Sequence, residues 1–136
     1  MTFEEIKNRL AKSFAEHEEN SKKYPGIYGQ MISFDEIINM ANVCKEFHSA
    51  VHRCDCDGNG IRIEFMFDND AYASVIKNKY SDYEWEIMSP HIHNYDGILN
   101  HMSDSVMLEN LRKISNGEDI GDYSDCEIWD EVYDTE

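Results

Sequence analysis

Acidic residues are segregated along this chain, and the segregation decides which parts of it can enter a core. Residues 81–136 hold 15 Asp and Glu against two bases, Arg112 and Lys113, a net of −13; residues 1–80 hold 13 acids against ten bases. The extreme is the run Glu118–Glu136, EDIGDYSDCEIWDEVYDTE, with nine carboxylates and no Lys or Arg. A block of one sign repels itself and costs stability, so it belongs on a surface. An ordinary acidic tail is also low in aromatics and disordered. Here Tyr123, Ile128, Trp129, Val132 and Tyr133 are interleaved with the charges, so the run has something to bury. Ser124 with Glu127 is a capping-box pattern. In a helix starting there, Ile128 with Val132 and Trp129 with Tyr133 are i,i+4 neighbours. The expectation is a compact domain over residues 1–117, with 118–136 as an acidic segment docked by its aromatic edge.

The remaining composition fits one globular domain. A chain of 136 residues with 41% hydrophobic and 12% aromatic content can bury a core without staples. No apolar run approaches the roughly 20 residues of a bilayer span. The start, MTFEEIKNRL, has neither the basic nor the apolar region of a secretory signal. Four cysteines without that signal are expected to be reduced thiols in a cytoplasmic protein. A net charge of −16 argues against direct binding to nucleic acid or to an anionic membrane. The partner it points to is a basic protein or a cation.

Periodicity predicts an α+β fold. Thr2 with Glu5 is a capping box, and Phe3, Ile6, Leu10 and Phe14 recur at helical spacing, giving a helix to about Glu19 or Lys22 that Tyr24-Pro25-Gly26 ends. Ser33 with Glu36 opens a second helix whose stripe of Ile37, Met40 or Ala41, Cys44, Phe47, Val51 and Cys54 carries it to about His52. After the loop CDCDGNG, Ile61–Phe67 alternates as a half-buried strand. AYASVIKNK reads as a short helix to about Tyr80. DYEWEIM, 82–88, alternates again, with Tyr83, Trp85 and Ile87 inward and Asp82, Glu84 and Glu86 outward. It is expected to pair antiparallel in the same sheet. HIHNYDG reads as loop or a short irregular strand. Ser103 or Asp104 then caps a helix through Ser115, with Asn116-Gly117 closing it.

Three constellations carry candidate chemistry. Asp55-x-Asp57-x-Asn59-Gly60 matches the first half of a calcium-binding EF-hand loop, oxygen ligands at alternate positions and Gly at the turn. Position twelve, however, is Met66 instead of Glu, and a strand follows where a helix should. Asn-Gly and Asp-Gly are the commonest turn dipeptides, so a tight turn is preferred to calcium here. His48, His52, Cys54 and Cys56 offer imidazoles one helical turn apart and thiolates just beyond, a zinc-type set with nonstandard spacing. His91, His93 and His101 add imidazoles elsewhere. No phosphate loop, nucleophile elbow or HExxH is present, and the expectation is a non-catalytic protein.

The third constellation is the acidic surface itself. Carboxylates three or four apart on a helix lie about 5–6 Å from each other, and Asp82, Glu84 and Glu86 on a strand face would recur at about 6.6–6.8 Å. Both spacings are of the order of phosphates along a nucleic-acid strand. Such a surface can occupy an Arg/Lys groove that holds DNA or RNA, driven by the same counterion release. The candidate partner-binding residues are Asp82, Glu84, Glu86, Glu118, Asp119, Asp122, Asp125, Glu127, Trp129, Asp130, Glu131, Tyr133 and Asp134. In size, charge and the carboxylate–aromatic block 118–136, the chain resembles the small acidic inhibitors of phages and mobile elements, the anti-CRISPR and anti-restriction proteins. That resemblance implies a non-catalytic protein that blocks the nucleic-acid channel of a nuclease or CRISPR effector. Immunity proteins against nuclease toxins look the same, and a calcium- or zinc-binding regulatory module is the alternative.

Overall fold

The computed structural model describes residues 1–28 and 31–121. Helix α1 (Phe3–Lys23) starts at the expected capping box: the Thr2 hydroxyl accepts from the Glu5 N–H at 3.1 Å and the Glu5 carboxylate from the Thr2 N–H. After the single turn α2 (Pro25–Tyr28), the Ser33 hydroxyl caps α3 (Phe34–Val43) by accepting from the Glu36 N–H at 3.2 Å. Glu36 makes no return bond, so this is half of the expected box, and its side chain stays exposed. A 3-10 segment, Lys45–Ala50, leads into five strands: β1 (Val51–Asp57), β2 (Gly60–Met66), β3 (Tyr72–Lys77), β4 (Trp85–Met88) and β5 (Ile98–Met102). They form an antiparallel meander in sequence order. Helix α4 (Asp104–Ser115), capped by Ser103, closes the fold and ends at Asn116 and the left-handed Gly117 (φ 77°).

Register places Cys54, Ile63, Val75, Ile87 and Leu99 in one row across the sheet. The first four are buried, under Ile6 and Leu10 of α1, Ile37 and Ala41 of α3, and Met107, Leu111 and Ile114 of α4. Helices α1, α3 and α4 lie on this face. The other face carries Arg53, Asp55, Arg62, Ile76, Glu86 and Met88, and no described helix covers it. The outer margin of β1 is held by α1, where the Cys56 N–H donates to Ser13 Oγ at 2.9 Å. The outer margin of β5 is bent by His101, whose φ is 58°.

Four expectations need correction. The apolar stripe does not carry a helix to His52: α3 stops at Val43, and Val51 begins a strand. Val51 and Cys54 are both buried three residues apart because the β1–β2 register slips between Val51 and Arg53. That β-bulge reproduces a helical spacing inside a strand. AYASVIKNK is strand β3 rather than a helix; Ala71, Ala73 and Val75 are buried with a period of two. β3 therefore lies between the two expected strands, which run parallel to each other as second neighbours. The second of them starts only at Trp85, so Tyr83 does not point inward and is 38% exposed. Strand β5 and its pairing with β4 had no clear alternation to announce them. The expected acidic helix over 124–134 lies outside the described residues.

A candidate protein-interaction surface

The sharpest local feature is the β3–β4 turn, Asn78–Glu84. The buried Asn78 side chain accepts from the Tyr80 and Ser81 N–H groups at 2.9 and 3.1 Å, while Ser81 Oγ donates to carbonyls of Asn78 and Glu84. This frame holds Asp82 and Tyr83 in consecutive left-handed conformations, both with φ of 55°. Such backbone costs of order 1–3 kcal/mol per non-glycine residue and persists only where its surroundings enforce it. A second frame adds to the first. Asn59, itself left-handed at φ 59°, accepts from the Ile32 N–H at 2.9 Å and donates to the Tyr83 hydroxyl at 3.0 Å. The Glu84 carboxylate takes His101 Nδ1 at 2.8 Å. Among the described residues, four of the five left-handed non-glycine residues, Asn59, Asp82, Tyr83 and His101, thus lie in this turn or bond to it. The outcome is an exposed tip bearing Tyr80 (83% exposed), Asp82, Tyr83 and Glu84.

Beside this tip runs an open groove of about 420 Å³ between α3, the end of β3 and the start of α4. Ile32, Met40, Val43 and Tyr83 supply its apolar wall, and Glu36, Lys77 and Asp104 its charges. Lys77 lies 3.5 Å from the Asp104 carboxylate and 5.5 Å from the centre of the Trp85 ring, and the Trp85 indole N–H donates to Asp104 at 2.6 Å. Among the described residues lining the groove, the one cation is therefore already engaged.

A second acidic pole is built where the chain leaves α4. Asp119 receives His91 Nδ1 at 3.1 Å and His93 Nε2 at 3.0 Å on the same carboxylate oxygen. The hydrogen bond from His93, then the charges of both imidazoles, hold the Asp119 carboxyl below its ordinary range. Ile120 pairs with Ile92 in a parallel bridge, exchanging backbone hydrogen bonds with His91 and His93 at 2.8 Å each. Asp104 opens α4 and the Glu118 N–H bonds Lys113 near its end. Tyr83 of the tip and Asp104 line the same groove, so the two poles lie toward opposite ends of α4, a 12-residue helix about 18 Å long. Between them, Arg112 and Lys113 are taken up by Glu46 at 2.9 Å and Glu109 at 3.9 Å.

No protein-family model, curated protein or solved structure matches this chain.

The sequence-predicted residues are only partly brought together. Asp82 and Glu84 share the tip, but not as a strand row: β4 starts after them, and Glu86 sits on the opposite sheet face in register with Ile76 and Arg62. Glu118 and Asp119 stand at the other pole. Asp122, Asp125, Glu127, Trp129, Asp130, Glu131, Tyr133 and Asp134 lie outside the described residues. The half EF-hand is a hairpin: Asp55 and Asp57 are in β1, and Gly58-Asn59 is the two-residue turn into β2, both left-handed as a type I′ turn requires. Burial raises the Asp55 carboxyl, with Arg53 opposing.

The zinc-type set is dispersed. His48 bonds the Met1 carbonyl, His52 faces Glu64 at 3.7 Å on the open face, and Cys54 and Cys56 point at carbonyls of α1 from the covered face. Burial pushes both thiols up to about 11 and that of Cys44 to about 12. Among the described residues no cluster of three or more His, Cys, Asp or Glu has a geometry for a metal ion. No described helix is long and apolar enough to cross a membrane. Sequence reasoning missed Asn59 as a bridging residue and His91 and His93 as the clamp on Asp119. The pattern His-x-His was visible, but its partner, 26 residues further along, was not.

Proposed function

We propose that this chain is a non-catalytic inhibitor that binds a basic nucleic-acid-binding protein, a nuclease or a CRISPR effector, and occupies its DNA or RNA site. The observation that supports this reading is the pair of acidic poles, each fixed to the domain by its own network. Loose solubilising charge needs no such fixing. Beyond Gly121 the sequence adds seven more carboxylates and no base, with Trp129 and Tyr133 as aromatic anchors. The test is capture from a host lysate at low salt, elution along a salt gradient, and competition with free DNA or RNA. Recovery of a nucleic-acid-binding protein that salt and nucleic acid both displace supports the proposal. Retention that ignores salt, or the absence of any basic protein, overturns it.

A further inference from the structure

We infer that the groove lined by Ile32, Met40, Val43 and Tyr83 is the docking site for an amphipathic basic segment of the partner, apolar side chains in the groove and Arg or Lys against the tip. This rests on the proposal that the partner is basic. Three observations lead to it. The groove is mainly apolar and lies within the roughly 300–1,000 Å³ range of binding clefts, yet it is open to solvent, which suits a polypeptide better than an enclosed small molecule. Its charges favour a cationic guest. Glu36 carries an exposed carboxylate, Asp82 and Glu84 flank Tyr83 in the chain with Glu84 holding His101, and Lys77 is engaged by Asp104 and Trp85. Tyr83, which forms part of the wall, is held in a left-handed conformation by bonds from two separate segments. An aromatic fixed at the edge of an apolar groove loses little freedom on binding, and such rigid aromatics dominate interface energetics. An apolar guest with flanking positive charge matches each of these features.

The experiment uses the full chain and three synthetic helical peptides: one with a leucine face and arginines elsewhere, one with the leucines replaced by serine, and one with the arginines replaced by glutamate. Methyl NMR should show saturable shifts at Ile32, Met40 and Val43 with the leucine–arginine peptide only. The serine–arginine peptide should bind at least about tenfold more weakly, as expected when central anchors are lost. Met40→Lys should weaken the leucine–arginine peptide by a similar factor and leave the serine–arginine peptide unchanged. Asn39→Arg, at an exposed position on the same rim, checks the result without touching the core. Equal affinity for the leucine and serine peptides, or shifts confined to residues away from the groove, would overturn the inference. If lysate capture succeeds while Met40→Lys has no effect, the groove is wrong and the inhibitor reading stands. If the peptide enters the groove but no nucleic-acid-binding protein is captured, the groove stands and the inhibitor reading falls.

Discussion

Asn59 concentrates several constraints in one side chain. It makes the left-handed turn between β1 and β2, and its amide joins Ile32 to Tyr83. Asn59→Gly keeps the turn geometry and removes the amide, so the expected effect is a loss of about 1–3 kcal/mol for two hydrogen bonds. Urea unfolding measures it, and faster amide exchange at Ile32 than at the core strands would place the loss. In the sequence, the same residue stood as a calcium ligand or a turn former. The dipeptide was legible as a turn, but its partners lie 27 and 24 residues away and leave no local trace. Asp119 makes the complementary case. Its carboxyl is held low in the folded chain, so its contribution is present above the ordinary carboxylate range and is lost as pH falls through the lowered value. Below about pH 4, the Ile120 and His93 amides should lose exchange protection before the sheet does. Asp119→Asn should remove that acid-dependent step; a variant that retains it would show that a group other than Asp119 controls the bridge.

At the level of elements, the helices were legible because their ends are chemical. Thr2, Ser33 and Ser103 cap where they were expected to, and Asn116-Gly117 stops α4. Strands were legible only where alternation was strict, as in β2. The bulge in β1 disguised it as the end of a helix, and Ala71 and Ala73, just before and within β3, suggested helix while serving as small residues in the core. β3 also explains why Gly60 is glycine. A Cβ there would sit 2.0 Å from the Lys77 carbonyl oxygen, a backbone atom that cannot swing away. Gly60→Ala should therefore cost about 3 kcal/mol or more by forcing β2 and β3 apart. A melting temperature close to that of the parent would refute this account of the pairing.

Across the whole molecule, charge is what the sequence displayed most openly, yet its arrangement needed the fold. Asp82, Glu84 and Glu86 are nearly contiguous in the chain, but the turn and the sheet send Glu86 to the face away from the groove. Reversing Asp82 and Glu84 to Lys should weaken a basic partner and reduce the slope of log affinity against log salt by about 2. Reversing Asp125, Glu127, Asp130 and Glu131 should do so more strongly, with the domain still folded by circular dichroism. Undiminished inhibition after both reversals would exclude mimicry.

The margins of the sheet bear on a different question, self-association. An open strand edge invites a second copy to add a strand, the usual start of aggregation. Here α1 occupies one rim through Ser13, and the left-handed kink at His101 spoils the other. Concentrated solutions of this protein should consequently resist strand-by-strand stacking.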